Sequence, residues 1–90
     1  MNLRDIKKDI DYILSAFIED CSVVAAVNSK VSEEKATALC EEAVDLYNEL
    51  RDKVGKVEGS AKEYYNNLRK ELLEKSDALY EKLSEAIKKA

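Results

Sequence analysis

Ninety residues, nearly half of them apolar and 38% charged, make one small domain with a thin stability margin, because a chain this short buries only roughly 60–65% of its unfolded surface. Two glycines, no proline and a mixture rich in Ala, Glu, Lys and Leu leave few places for tight turns and favour long helices. The net charge of −4 is spread over both signs, which excludes the concentrated positive field that phosphate contacts need, so nucleic acid is not an expected partner.

Residues 1–9 are charged from the start and lack the apolar core of a signal peptide. No apolar run approaches the ~20 residues of a membrane span. The expectation is a cytoplasmic protein with no membrane partner and two reduced cysteines.

The first helix is expected over residues 3–27, with Leu3, Ile6, Ile10, Ile13, Leu14, Phe17, Cys21 and Val24 spaced three and four apart as its inward stripe. Arg4, Lys8, Asp11 and Ser15 give its first half an ordinary polar outer face. The second half differs: in residues 16–27 the only charges are Glu19 and Asp20. Winding that stretch as a helix puts Phe17, Cys21, Val24 and Ala25 inward, while Ala16, Val23 and Val27 fall on the opposite flank, where a surface helix is normally polar. Tyr12 lies outward on this flank and Ala26 beside it. Tyr12, Ala16, Val23, Ala26 and Val27 thus form a candidate interface, covered either by a second copy of the chain or by the third helix.

Asn28 is a plausible left-handed cap for this helix. Ser32 is a good N-cap for the second, expected over residues 33–54, with Glu33 and Glu34 at the positive end of its dipole and Val31 and Ala36 placed as a staple. Ala36, Leu39, Cys40, Ala43, Leu46, Tyr47, Leu50 and Val54 share one narrow arc, and Gly55 is the natural residue just past the end. Ser60 and Glu63 have capping-box spacing ahead of a third helix over residues 61–88, whose core arc is Ala61, Tyr65, Leu68, Leu72, Leu79, Leu83, Ala86 and Ile87. Both connections are short, so successive helices must be antiparallel neighbours. The fold class is all-α: an up-down-up three-helix bundle of long antiparallel helices, one domain over residues 1–90. Its rival is a longer helical hairpin whose residues 55–60 stay partly helical and whose chains pair to complete a core.

The chain has no histidine, which removes the commonest general base and metal ligand, and its serines have no base partner. No enzyme activity, metal or cofactor is expected. Cys21 and Cys40 flank the first turn at similar distances and face inward, so they should stand at one level; they are either two small buried hydrophobes or a redox-switchable brace. Asp20 lies at the edge of the inward stripe and needs a donor, and at its level the third helix offers Ser76 and Tyr80. This possible buried polar group is either a satisfied structural contact or a ligand-binding acid. Tyr47, Tyr65 and Tyr80 fall on or beside core arcs.

The opening Leu3-Arg-Asp-Ile-Lys-Lys-Asp-Ile-Asp11 resembles the start of the helical chorismate mutases, which are also short and three-helical. That family holds a dicarboxylate with arginines at the end of its first helix and on the next. Here the first helix ends in Ser-Val-Val-Ala-Ala-Val without a base, and Arg51 is the only arginine of the second, so the assignment is rejected. Residues 1–21 and Glu41-Glu-Ala-Val-Asp-Leu-Tyr-Asn-Glu-Leu-Arg51 resemble a set of short bacterial helical proteins with no assigned activity. The resemblance implies a bacterial cytoplasmic setting and no site residues. The expected function is a protein–protein interaction module, as a homodimer or with another protein. The alternative is a small-molecule-binding bundle in which Asp20 and a tyrosine hydroxyl line a pocket. Attachment of an amphipathic helix to a membrane surface is disfavoured by the mixed charges of the third helix.

Overall fold

Three stripes of apolar residues at helical spacing meet along one axis. The computed structural model describes residues 3–28 and 31–89 and places them in helices α1 (Leu3–Val27), α2 (Glu33–Val54) and α3 (Ala61–Lys89). Each helix packs on the other two, in a rod of 47 × 16 × 16 Å. Ser29 and Lys30 of the first connection, and the side chain of Leu3, lie outside the described residues.

The pairings give the directions. Between α2 and α3, Glu42 meets Lys82, Glu49 meets Lys75 and Glu71 meets Lys53, each step forward on one helix matched by a step back on the other. Asp11–Arg51 joins the first half of α1 to the end of α2, and the short connection joins the end of α1 to the start of α2, which gives these two helices the same antiparallel sense. From α1 to α3 the offset is instead constant: Asp9 pairs with Arg69 and Asp20 with Tyr80. The first and third helices therefore run parallel, as an up-down-up bundle requires, and α2 is a separate helix rather than half of a longer hairpin.

The core is the one the periodicity selects. Ile6, Ile10, Leu14, Phe17 and Cys21 from α1 pack with Leu39, Ala43, Leu46, Leu50 and Val54 from α2 and with Tyr65, Leu68, Leu72, Leu79 and Leu83 from α3. Ser76 occupies the α3 stripe between Leu72 and Leu79 and is buried; its hydroxyl donates to the Leu73 carbonyl at 3.1 Å, which satisfies it within its own helix. Two assignments at the ends of α3 differ from expectation. Ala61 is exposed in the first turn, and at the far end Ala86 is half-buried while Ile87, on the edge of α3 that borders α1, is 41% exposed.

The caps divide in the same way. Ser32 is extended (φ −67°, ψ 150°) and its side chain accepts from the Lys35 N–H at 3.1 Å. Val31 and Ala36 on either side of it are buried. Ser60, by contrast, starts α3 through its carbonyl alone, which accepts from the Tyr64 N–H at 2.9 Å. No capping box forms with Glu63, and both side chains are exposed. Asn28 is not left-handed, as no described non-glycine residue has positive φ; its N–H bonds the Val24 carbonyl at 2.9 Å and continues the ladder of α1.

Gly55 is not left-handed either. It sits at φ −82°, ψ −3°, with its N–H on the Asp52 carbonyl at 3.2 Å and the Lys56 N–H on the Lys53 carbonyl at 3.0 Å, so the helix ends in a tightened turn that any residue adopts. The left-handed position of the second connection is Gly59, at φ 70°. A Cβ on Gly55 would meet only the Asp52 carbonyl oxygen at an ordinary 3.7 Å. Gly55→Ala is therefore expected to stabilise the fold by about 0.4–1 kcal/mol through the unfolded chain. Gly59→Ala is expected to destabilise it by about 1–2 kcal/mol. Urea unfolding of the two variants checks this, and shifts of the same sign would contradict the turn geometry.

Candidate interaction surface on the first helix

The side chains that tie α1 to its neighbours mark the limits of its free face. On one edge, Asp11 pairs with Arg51 of α2 at 3.7 Å. The Asp11 carboxylate also pushes the Tyr47 phenol above its ordinary value, while the Arg51 guanidinium lies 5.8 Å from the Tyr47 ring centre. On the other edge, Asp9 pairs with Arg69 at 3.4 Å, and Asp20 accepts from the Tyr80 hydroxyl at 2.8 Å. Between these two seams neither α2 nor α3 reaches the back of α1.

The interface residues read from the sequence lie on that back. Tyr12 is 77% exposed, Val23 58% and Val27 79%, with Ala26 exposed and Ala16 half-buried. The third helix therefore leaves the strip open. Tyr12 and Ala16, with Lys8, Asp11, Ser15 and Glu19 around them, form a shallow hollow of about 550 Å³. Isolated apolar side chains on a surface need no explanation, but several on one face of one helix do.

The surface extends beyond what the sequence pattern shows. Arg69 and Tyr80 define the edge of α3 that borders α1, and Leu73 and Ile87 lie on the same helical stripe as those two. Each is 41% exposed. The constant offset between α1 and α3 sets Leu73 level with Ile13 and Ile87 level with Val27, so α3 widens the apolar face at both ends. The adjacent Leu72-Leu73 pair was the available signal: a helix with one buried stripe has room inside for only one of two consecutive leucines.

Asp20, Ser76 and Tyr80 do not form a buried polar site together. Asp20 is exposed, because a carboxylate at the edge of the stripe turns outward, and it accepts the Tyr80 hydroxyl at the surface. Ser76 bonds its own helix instead. Tyr80 is the bridge between surface and core. Its ring stands edge-on to Phe17, with centroids 4.9 Å apart and planes at 88°, while its hydroxyl reaches the rim. Burial first, and then the Asp20 carboxylate, push the Tyr80 phenol up to about 12. Burial likewise carries the Cys21 thiol up to about 12, with the neighbouring Cys40 thiol and Asp20 adding to it.

The α2–α3 side is chemically different. Lys53 reaches Glu71 at 2.8 Å and Glu49 at 3.2 Å, Lys75 reaches Glu71 at 2.9 Å and Glu49 at 3.2 Å, and Lys82 reaches Glu42 at 2.7 Å. These bonds hold Glu49 and Glu71 below the usual carboxylate range. Exposed pairs of this kind add little stability each, but they fill the α2–α3 groove with mutually satisfied charge. Among the described residues, no group of three or more His, Cys, Asp or Glu side chains is placed to hold a metal ion, and no helix is long and apolar enough to cross a membrane.

In comparisons with protein-family models, curated proteins and solved structures, nothing matches this chain.

Proposed function

We propose that this protein is a non-catalytic interaction module that pairs with a second copy of itself through the outer face of α1. The observation that carries the reading is the exposure of Tyr12, Val23 and Val27 on one helix face that the intramolecular seams leave uncovered. Two-fold pairing is the simplest use of such a face, because the same patch serves both partners. Antiparallel packing of α1 on its mate about the level midway between Phe17 and Ile18 sets Tyr12 against Val23 of the other copy and the Lys8 stem over its Val27. The small Ala16 lies near the crossing, where two helices must come closest. Leu73 and Ile87 flank the contact.

A ligand-binding role draws less support from the geometry. The Tyr80 hydroxyl is already held by Asp20, and the α2–α3 groove is spanned by ion pairs.

Equilibrium sedimentation from micromolar to millimolar concentration tests the pairing. The wild-type chain is expected to reach twice the monomer mass. Val23→Lys with Val27→Lys is expected to return it to the monomer with its helicity unchanged, since burying lysines at a helix–helix contact costs about 2 kcal/mol or more. A wild-type chain that stays monomeric throughout this range would overturn the self-pairing.

A further inference from the structure

The thiols at the α1–α2 seam are a pair of nucleophilic side chains that the interaction surface does not use. Cys21 is wholly buried in the core, and Cys40 is half-buried and packed against that core from α2. Both are free of any disulfide, and the antiparallel register that pairs Asp11 with Arg51 brings Cys40 to the level of Cys21 across the seam. Ala36 and Ala43, one turn to either side of Cys40, are buried as well, and side chains this small let the two helices draw together there. We infer that Cys21 and Cys40 form an oxidisable dithiol whose substrate is a small hydroperoxide and whose product is a disulfide joining α1 to α2.

The two thiols play different parts. Cys40 keeps part of its surface in water and meets the oxidant first. Its sulfur attacks one peroxide oxygen, the O–O bond breaks, and the departing hydroxide leaves as water with the thiol proton, which makes Cys40 a sulfenic acid. The Cys21 sulfur then attacks the Cys40 sulfur and the S–O bond breaks, with the Cys21 proton carried off in a second water. Two thiols have lost two electrons in all, and hydrogen peroxide, the smallest such substrate, has become two waters; an organic hydroperoxide would leave one water and an alcohol. Burial explains the order. A thiol pushed up to about 12 is a poor first attacker, but it has a sulfenic acid beside it once Cys40 has reacted. The half-buried setting of Cys40 selects a small oxidant, because a bulky disulfide has little room to align with its sulfur. The product closes the α1–α2 hairpin and restricts the unfolded chain.

The test treats the folded, reduced wild-type chain with hydrogen peroxide, stops the reaction with catalase and reads intact mass and a non-reducing peptide map. The expected result is a chain lighter by two hydrogens, a linked Cys21–Cys40 peptide, no thiol titratable in denaturant, and full reversal by dithiothreitol. The thermal midpoint should rise by roughly 10 °C on oxidation. Oxygen atoms accumulating on Cys40 while Cys21 stays a thiol would overturn the inference, as would a disulfide between two chains. Cys40→Ser, at the half-buried edge of the seam, is expected to leave Cys21 unmodified under the same peroxide. Oxidation of Cys21 there at the wild-type rate would overturn the order of attack. These readouts do not depend on the oligomeric state, so they succeed or fail separately from the proposed self-pairing.

Discussion

Phe17→Ala is expected to cost about 3–5 kcal/mol of unfolding free energy, close to half of what holds a domain of this size together. Phe17 is the only phenylalanine in the chain, is wholly buried, and stands edge-on to the Tyr80 ring. It fills the level at which the inner face of α1 serves both neighbours, so its removal leaves a cavity that α2 and α3 cannot close together. The matching substitution on the other side of the helix behaves differently. Val23→Ala removes a side chain that is 58% exposed and should cost no more than about 0.5 kcal/mol in the dilute monomer. If the chain pairs through this face, the cost of Val23→Ala grows with protein concentration, because the dimer stabilises the fold by mass action. The cost of Phe17→Ala does not grow in that way. Urea unfolding at two concentrations separates the cases. Equal losses for both variants at both concentrations would mean that the two faces of α1 have been assigned the wrong way round.

The parts of the fold visible in the sequence are those governed by a repeating pattern. The stripes that begin at Ile6, Ala36 and Tyr65 recur at helical spacing, and each side chain is buried for the reason its period implies. Ser32 was legible because its hydroxyl has one nearby donor to satisfy. What was not legible depends on neighbours that sequence spacing does not supply. Whether Gly55 or Gly59 takes the left-handed turn is set by where the chain must reverse to bring Tyr64 under the end of α2, where its hydroxyl donates to the Lys53 carbonyl at 2.7 Å. Asp20 could be placed beside Tyr80, since both lie at one level, but its exposure depends on how far α3 leans over α1. The apolar strip showed the same division. Tyr12, Val23 and Val27 stood out from the period alone, whereas Leu73 and Ile87 join them only once α3 is known to run parallel to α1 at a fixed offset.

Raising the pH above 9 should unfold this protein earlier than its lysine and tyrosine content suggests, and Cys21 should account for the first part of the loss. The thiol goes from 9.0 to about 12 on folding, and the Tyr80 phenol from 10.0 to about 12. Both groups are neutral when protonated, and the folded state favours that form. Their contribution is fully present below the unfolded values and is lost as pH rises through the folded ones. Between pH 9 and 10 the unfolded chain releases the Cys21 proton while the folded chain keeps it, so stability falls by up to about 1.4 kcal/mol per pH unit from this group alone. Above pH 10 Tyr80 adds its share, reduced because its hydroxyl end reaches the rim. The whole Cys21 shift corresponds to at most about 4 kcal/mol. The groups facing it from each helix are Asp20 on α1, Cys40 on α2 and Tyr80 on α3, and replacing Cys21 removes the one most deeply buried among them. Cys21→Ala is therefore expected to be less stable at pH 7 yet to lose less on going from pH 9 to 10 than the wild-type chain under reducing conditions. Tyr80→Phe should keep the early loss and flatten the later one. Urea unfolding followed by circular dichroism across this range reads both slopes, and a Cys21→Ala slope equal to the wild-type slope below pH 10 would remove the buried thiol as the cause.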